Sequence, residues 1–183
     1  QMILDAMEAL TAEDEIAARR VIAADDAVDY DFNAIKHTLA QEIAADPAKV
    51  DAALDLLMVI KYLERIGDHA VNICEYTKMI EEKNITFSKE VIGEIAQMRE
   101  ICVKALSKVE SIDNGINVAE IAGIEEKIDE MTEQFRKNQI DRMQVGKCSD
   151  EGCVLYSEML TDFERIGDHI LNVGQEMAGA VNE

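Results

Sequence analysis

Two stretches of this chain carry the same pattern of acids: residues 63–73 read LERIGDHAVNI and residues 163–173 read FERIGDHILNV. Each places a Glu and an Asp four residues apart, Glu64 with Asp68 and Glu164 with Asp168, and the copies lie one hundred residues apart. A further acidic pair precedes each copy at the same offset, Asp25 with Asp29 and Glu125 with Asp129. Like charges at i,i+4 on a helix repel by roughly 0.2–0.5 kcal/mol. A glycine inside a helix, here Gly67 or Gly167, costs about 1 kcal/mol relative to Ala. A chain that accepts both costs twice is concentrating carboxylate oxygen. The chemistry that oxygen donors do best is to hold hard cations such as Mg, Mn or Fe, with Zn also able to enter. The i,i+4 rise of about 6 Å leaves room for more than one ion.

Single acidic pairs carry little weight. With 38 acids in 183 residues, about one i+4 position in five is acidic by chance, and a charged stripe is ordinarily a solvated face. Register is what singles these pairs out. In an antiparallel hairpin turning at Asp46-Pro47, Asp29 is level with Glu64 and Asp25 with Asp68, because both pairs centre on position 46.5. The second quartet centres on 146.5, beside Gly146. Helix axes about 8–10 Å apart would let the four side chains of each hairpin share a ligand. The competing reading is a surface salt-bridge net in which Arg65, Arg165 and Lys127 neutralise the acids; the doubling favours metal.

Four neighbours of the motif are candidates for outer ligands or for orienting the inner ones. His69 and His169 follow the motif aspartates, rotated about 100° from them, and a packed or exposed histidine is an equally good reading. Asn72 and Asn172 continue the i+4 row, where an amide can hydrogen-bond to a ligated carboxylate. Gly67 and Gly167 fall on the apolar seam, where a missing side chain admits a neighbouring helix or a bulky cluster.

The elements that must position these residues are helices. Val91, Ile95, Met98, Cys102, Ala105 and Val109 alternate spacings of four and three. So do Ala53, Leu56, Ile60, Leu63, Gly67, Ala70 and Cys74, and likewise Cys153, Tyr156, Leu160, Phe163, Gly167, Ile170 and Gly174. Each is a helix face for burial. Thr11, Asp46 before Pro47, and Ser88 read as helix caps, and Asn114-Gly115 and Gly146 with Ser149-Asp150 as turns. The spacing predicts helices near 1–10, 13–44, 47–81, 88–110, 118–145 and 149–180. The first is short beside its counterpart, so a missing N-terminal half is expected. The fold class is all-α: two tandem three-helix bundles in a pseudo-two-fold repeat, residues 1–84 and 85–183.

Composition agrees. The chain is 48% hydrophobic with 4% aromatic residues, one Pro and no Trp, which suits a helical core. Its formal charge of −20, from 18 basic and 38 acidic residues, repels phosphate backbones and argues against nucleic-acid binding. No apolar run reaches the roughly 18–20 residues of a membrane span, so no membrane insertion of this segment and a cytoplasmic location are expected. Cys74, Cys102, Cys148 and Cys153 lack C-x-x-C spacing and read as reduced thiols.

The doubled motif, the upstream quartets and DPAKVDAALDLLMVIKYLERIGDHAVNICEY resemble the PhoU family over nearly the whole chain. That resemblance implies multinuclear metal clusters of iron or zinc on Asp25, Asp29, Glu64, Asp68, Glu125, Asp129, Glu164 and Asp168. It also implies a homodimer that restrains phosphate uptake and signalling through a phosphate ABC transporter ATPase and a sensor histidine kinase. The stretches ITFSKEVIGEI and GKCSDEGCVLYSEMLTDFERIGDH look more like the cytosolic PhoU-like tail of bacterial sodium/phosphate cotransporters, which is the alternative reading. An enzyme is not expected: no Walker loop, G-x-G-x-x-G or G-x-S-x-G element is present. Glu-x-x-His pairs of di-iron bundles are missing. A metal-dependent hydrolase is the weakest reading.

Overall fold

The computed structural model describes residues 1–110 and 116–182, with the side chains of residue 110 and of residues 180–182 excepted. Among the described residues six α-helices follow one another: α1 (Met2–Ala12), α2 (Glu15–Ala45), α3 (Val50–Glu82), α4 (Lys89–Glu110), α5 (Val118–Gln144) and α6 (Asp150–Asn182). Among the described residues there is no strand. Helices α1, α2 and α3 pack on one another, α4, α5 and α6 do likewise, and α3 lies along α6 to join the groups. A single core draws on all six helices, with Ile66, Ile73, Ile166 and Ile170 at the α3 and α6 faces all 6% exposed or less.

Helix ends follow short-range chemistry. Asp14, not Thr11, caps α2: its Oδ1 accepts from the Ala17 N–H at 2.9 Å, while the Thr11 hydroxyl donates back to the Met7 carbonyl at 3.0 Å and stays in α1. The acid is the better placed acceptor, because Glu13 turns the chain through a left-handed conformation, φ 51°, just before it. Asp46 accepts from the Ala48 N–H and starts a 3-10 turn, Pro47–Lys49, ahead of α3. Ser88 caps α4 as predicted, accepting from Val91 N–H at 3.4 Å. Asn117 caps α5. The predicted Asn114-Gly115 turn lies outside the described residues.

The stripes of α4 and α6 are buried, with Val91 at 3% and Tyr156, Leu160 and Phe163 at 0%, except at Val109, which is half-buried. In α3 the stripe is covered unevenly: Ala53 and Ile60 are buried while two leucines beside them are not. Leu56 is 46% and Leu63 is 48% exposed. Their counterparts one hundred residues on, Tyr156 and Phe163, touch α4: Tyr156 donates to Glu94, and the Cys102 thiol lies 3.9 Å from the Phe163 carbonyl. Helix α1 has 11 residues where α4 has 22, so no helix of the described chain lies over Leu56 and Leu63.

The expectation of four reduced thiols is corrected. Cys74 and Cys102 are buried and free, whereas Cys148 and Cys153 are bonded to each other. The turn through Gly146, φ 66°, and the tight entry into α6 bring the two positions together, which spacing rules for C-x-x-C do not anticipate.

Candidate metal centre

Helix α2 packs on α3, and α5 on α6; among the described residues only the second hairpin gathers three of its acids closely, and Asp25, Asp29, Glu64 and Asp68 of the first are less tightly grouped. In the second hairpin, carboxylate oxygens of Glu125, Asp129 and Asp168 lie within 4.8 Å of one another. Glu164 stands at the edge of this group. Arg136 Nη2 lies 2.9 Å from its Oε2, a charge pairing without the angle of a hydrogen bond.

The electrostatics register this crowding. Burial pushes the Glu125 carboxyl above its ordinary range, and the charges of Asp129 and Asp168 push it further. Asp129 is raised by burial and then by Glu164 and Asp168. The first hairpin behaves likewise. Asp25 is raised by burial, then by Asp29 and Asp68. Glu64 is raised by burial and by Asp68, Asp29 and Asp25, against the lowering pull of Arg65. Each quartet is therefore one mutually repelling group of charges. A bound cation or a proton relieves that repulsion.

Arginines offset part of the charge. Arg65 pairs with Asp68 at 3.0 Å and approaches Glu64 at 3.7 Å. Arg165 pairs with Asp168 at 3.0 Å. Both side chains are more than half exposed, so each can swing away without leaving a buried charge behind. Lys127 points elsewhere, to Glu130. Against four acids, one or two surface arginines leave each quartet net negative. The donors are all carboxylate oxygens, a hard set that fits an iron ion or another oxygen-preferring cation.

Gly67 forms part of the floor of the first quartet. A Cβ there would stand 3.5 Å from Val28 Cγ1 and 3.8 Å from Asp25 Oδ1, ordinary contact distances. Gly167 admits Ile128, whose Cδ1 would lie 3.0 Å from an added Cβ.

His69 and Asn72 are engaged between the bundles rather than with the quartets. His69 Nδ1 donates to Asp162 Oδ1 at 2.6 Å, Asn72 Nδ2 donates to the same oxygen at 3.2 Å, and the Tyr76 hydroxyl donates to Oδ2 at 2.5 Å. His169 stacks on His69 and on Tyr62, with ring centroids 5.4 and 5.7 Å away. Its Nδ1 is buried with no hydrogen-bond partner among the described residues. Asn172 is half-buried on the same helix. Sequence reasoning did not pick out Asp162. The available signal was a mismatch between the repeats, since the equivalent position is Tyr62.

Comparison with known proteins adds a family to this geometry. The family model described as "PhoU domain" matches residues 1–77 and again 89–177. Phosphate-specific transport system accessory protein PhoU homolog 1 of Thermotoga maritima is 29% identical over 181 residues, covering 94% of this chain and 76% of that protein. The crystal structure of PhoU from Pseudomonas aeruginosa superposes with a TM-score of 0.88 at 18% identity, over 99% of this chain and 88% of that one. The crystal structure of the phosphate transport system regulatory protein PhoU from Streptococcus pneumoniae gives 0.84 at 21% identity, over 98% and 86%. These two likenesses establish the fold.

Proposed function

This chain belongs to the PhoU family, and from that premise we propose that it is a metal-binding regulator of phosphate uptake and phosphate-dependent signalling. The observation that carries the metal part is the convergence of Glu125, Asp129 and Asp168, from two helices, onto one point. Each bundle, 1–84 and 85–183, acts as one unit with its own quartet: Asp25, Asp29, Glu64 and Asp68 in the first, Glu125, Asp129, Glu164 and Asp168 in the second. The all-oxygen donor set favours iron over zinc, which more often takes His or Cys. A metal held by these carboxylates would supply positive charge between the two helices of a hairpin. The chain's own residues contribute the carboxylates, and the exposed Arg65 and Arg165 would be free to move aside.

Family membership and the relatives' names support a role beside a phosphate transport system; we extend this to restraint of a phosphate ABC transporter through its ATPase and of a sensor histidine kinase. The net charge of −20 suits basic partner surfaces. Among the described residues no helix is long and apolar enough to cross a membrane, and the chain works as a homodimeric cytoplasmic accessory without catalytic turnover. The test is functional. In cells lacking the endogenous protein, the restored wild-type protein should lower uptake of labelled phosphate when phosphate is plentiful. The Asp129→Asn/Asp168→Asn variant should not. Equal restraint by both proteins would reject a role for the second quartet.

A further inference from the structure

The chain has two kinds of cysteine. Cys74 and Cys102 are buried in the core, and burial pushes both thiols up to about 12, which makes them poor nucleophiles. Cys148 and Cys153 stand apart, at the entry of α6. Their Cα atoms are 6.3 Å apart, within the ~4.4–6.8 Å that a bridge spans. The backbone brings them there by its own hydrogen bonds: the Arg142 carbonyl accepts from Lys147 N–H at 2.9 Å across the Gly146 turn. Ser149 then caps α6, accepting from Gly152 N–H at 3.1 Å and, through its carbonyl, from Cys153 N–H at 2.9 Å. Cys148 is half-buried, Cys153 is buried, and so Cys148 is the sulfur an outside reagent reaches first.

The bridge lies against the segment that joins the two bundles. A Cβ on Gly152 would stand 3.4 Å from Ile85 Cγ2 and 3.8 Å from Phe87 Cε1. Phe87 in turn meets the ring of Tyr156, 6.4 Å between centroids. A cleft of about 540 Å³ between the two segments is lined by Lys83, Asn84, Thr86, Lys147, Cys148 and Ser149. The order of the 146–153 turn therefore sets the surface on which the connection between α3 and α4 rests.

We propose that Cys148 and Cys153 are a reversible thiol–disulfide switch, exchanging with low-molecular-weight thiols and disulfides, that sets how firmly the inter-bundle connection at Ile85 and Phe87 docks on α6. In oxidation the Cys148 thiolate attacks one sulfur of a small disulfide, forming a mixed disulfide and expelling one small thiolate. The Cys153 thiolate then attacks the Cys148 sulfur, closing the intramolecular bond and expelling the second. Two protein thiols lose two electrons and two protons, and the small disulfide becomes two small thiols. With the cytoplasmic location proposed above, on which this inference rests, paired cysteines are usually transient and redox-sensing; the inference is independent of what the carboxylate quartets hold.

The experiment equilibrates the whole chain in glutathione buffers of stepped ratio, then quenches in acid, alkylates, maps the modified cysteines by mass, and follows amide exchange in the same samples. The expected result is that Cys148 and Cys153 convert together and reversibly within the series while Cys74 and Cys102 do not. Amides of residues 83–88 should exchange at least about threefold faster in the reduced chain. The Cys148→Ser/Cys153→Ser variant should match the reduced chain at every ratio. Three results overturn the proposal: a pair that stays as two thiols in fully oxidised glutathione, a bridge that no ratio reduces, or unchanged exchange at 83–88 between the two states.

Discussion

Asp162 of α6 accepts a hydrogen bond from His69 of α3 at 2.6 Å, across the interface between the two bundles. A carboxylate is an acceptor only, so the proton sits on His69 Nδ1 and fixes that tautomer. The Asp162 side chain is 8% exposed and the His69 side chain 16%. With Asn72 and Tyr76 also donating, one buried charge gathers three donors from three successive turns of α3. Asp162→Ala should therefore cost about 2–5 kcal/mol in urea unfolding, because it strands the donors. A loss smaller than about 0.5 kcal/mol, the range of an ordinary surface change, would contradict this account of the interface.

Glu94 plays the corresponding part inside the second bundle. Its carboxylate receives Arg142 at 3.0 and 2.7 Å, Asn138 at 2.7 Å and Tyr156 at 2.5 Å. Arg142→Met leaves that charge buried without its cation and should destabilise the chain by about 3–5 kcal/mol. Near-neutral behaviour in calorimetry or denaturant titration would mean the pair adds nothing.

The same group gives a pH signature. Burial raises the Glu94 pKa, but Arg142, Tyr156 and Asn138 more than offset it and hold the carboxyl below its ordinary value of 4.5. The folded chain therefore binds the proton less readily than the unfolded chain. The stabilisation from Glu94 is fully present above the unfolded value and is lost as pH falls through the folded one. The stability gap between wild type and Glu94→Gln should be constant above that range and narrow below about 4.5. A gap independent of pH in urea unfolding from neutral to acid would refute the assignment.

The two motif glycines should respond differently to one methyl group. At Gly67 an added Cβ makes ordinary contacts, 3.5 Å or longer, so Gly67→Ala should recover helix propensity and gain up to about 1 kcal/mol. At Gly167 it would press on Ile128 at 3.0 and 3.4 Å, and Ile128 is fully buried. Gly167→Ala should gain less or lose stability. Thermal unfolding of both variants decides it, and the reverse order would be inconsistent with these contacts.

Much of this was legible from residue spacing, for reasons that also explain what was not. Stripes such as Val91, Ile95 and Met98 need only a helix and a neighbour, and both exist. Leu56 and Leu63 obey the same periodicity yet lie half exposed, because periodicity says which face is apolar and not how far the next helix extends over it. The approach of Glu125, Asp129 and Asp168 was readable because antiparallel hairpins convert sequence midpoints into height. Direction around the axis was harder: His69 and Asn72 sit beside the quartet in sequence, but the helix turns them toward Asp162. The Cys148–Cys153 bridge depended on a left-handed glycine, Gly146, followed three residues later by a helix cap, Ser149, a local shape that no count of intervening residues conveys.

The most direct measurement is elemental analysis of the purified chain after dialysis, beside the Asp129→Asn/Asp168→Asn variant. The account predicts about two or more tightly held metal atoms per chain, at least one for each oxygen-lined quartet, with iron foremost, and about half as many in the variant. A chain that carries no metal and takes none up when titrated with iron, manganese or zinc would contradict it, and would leave the quartets as charged surface.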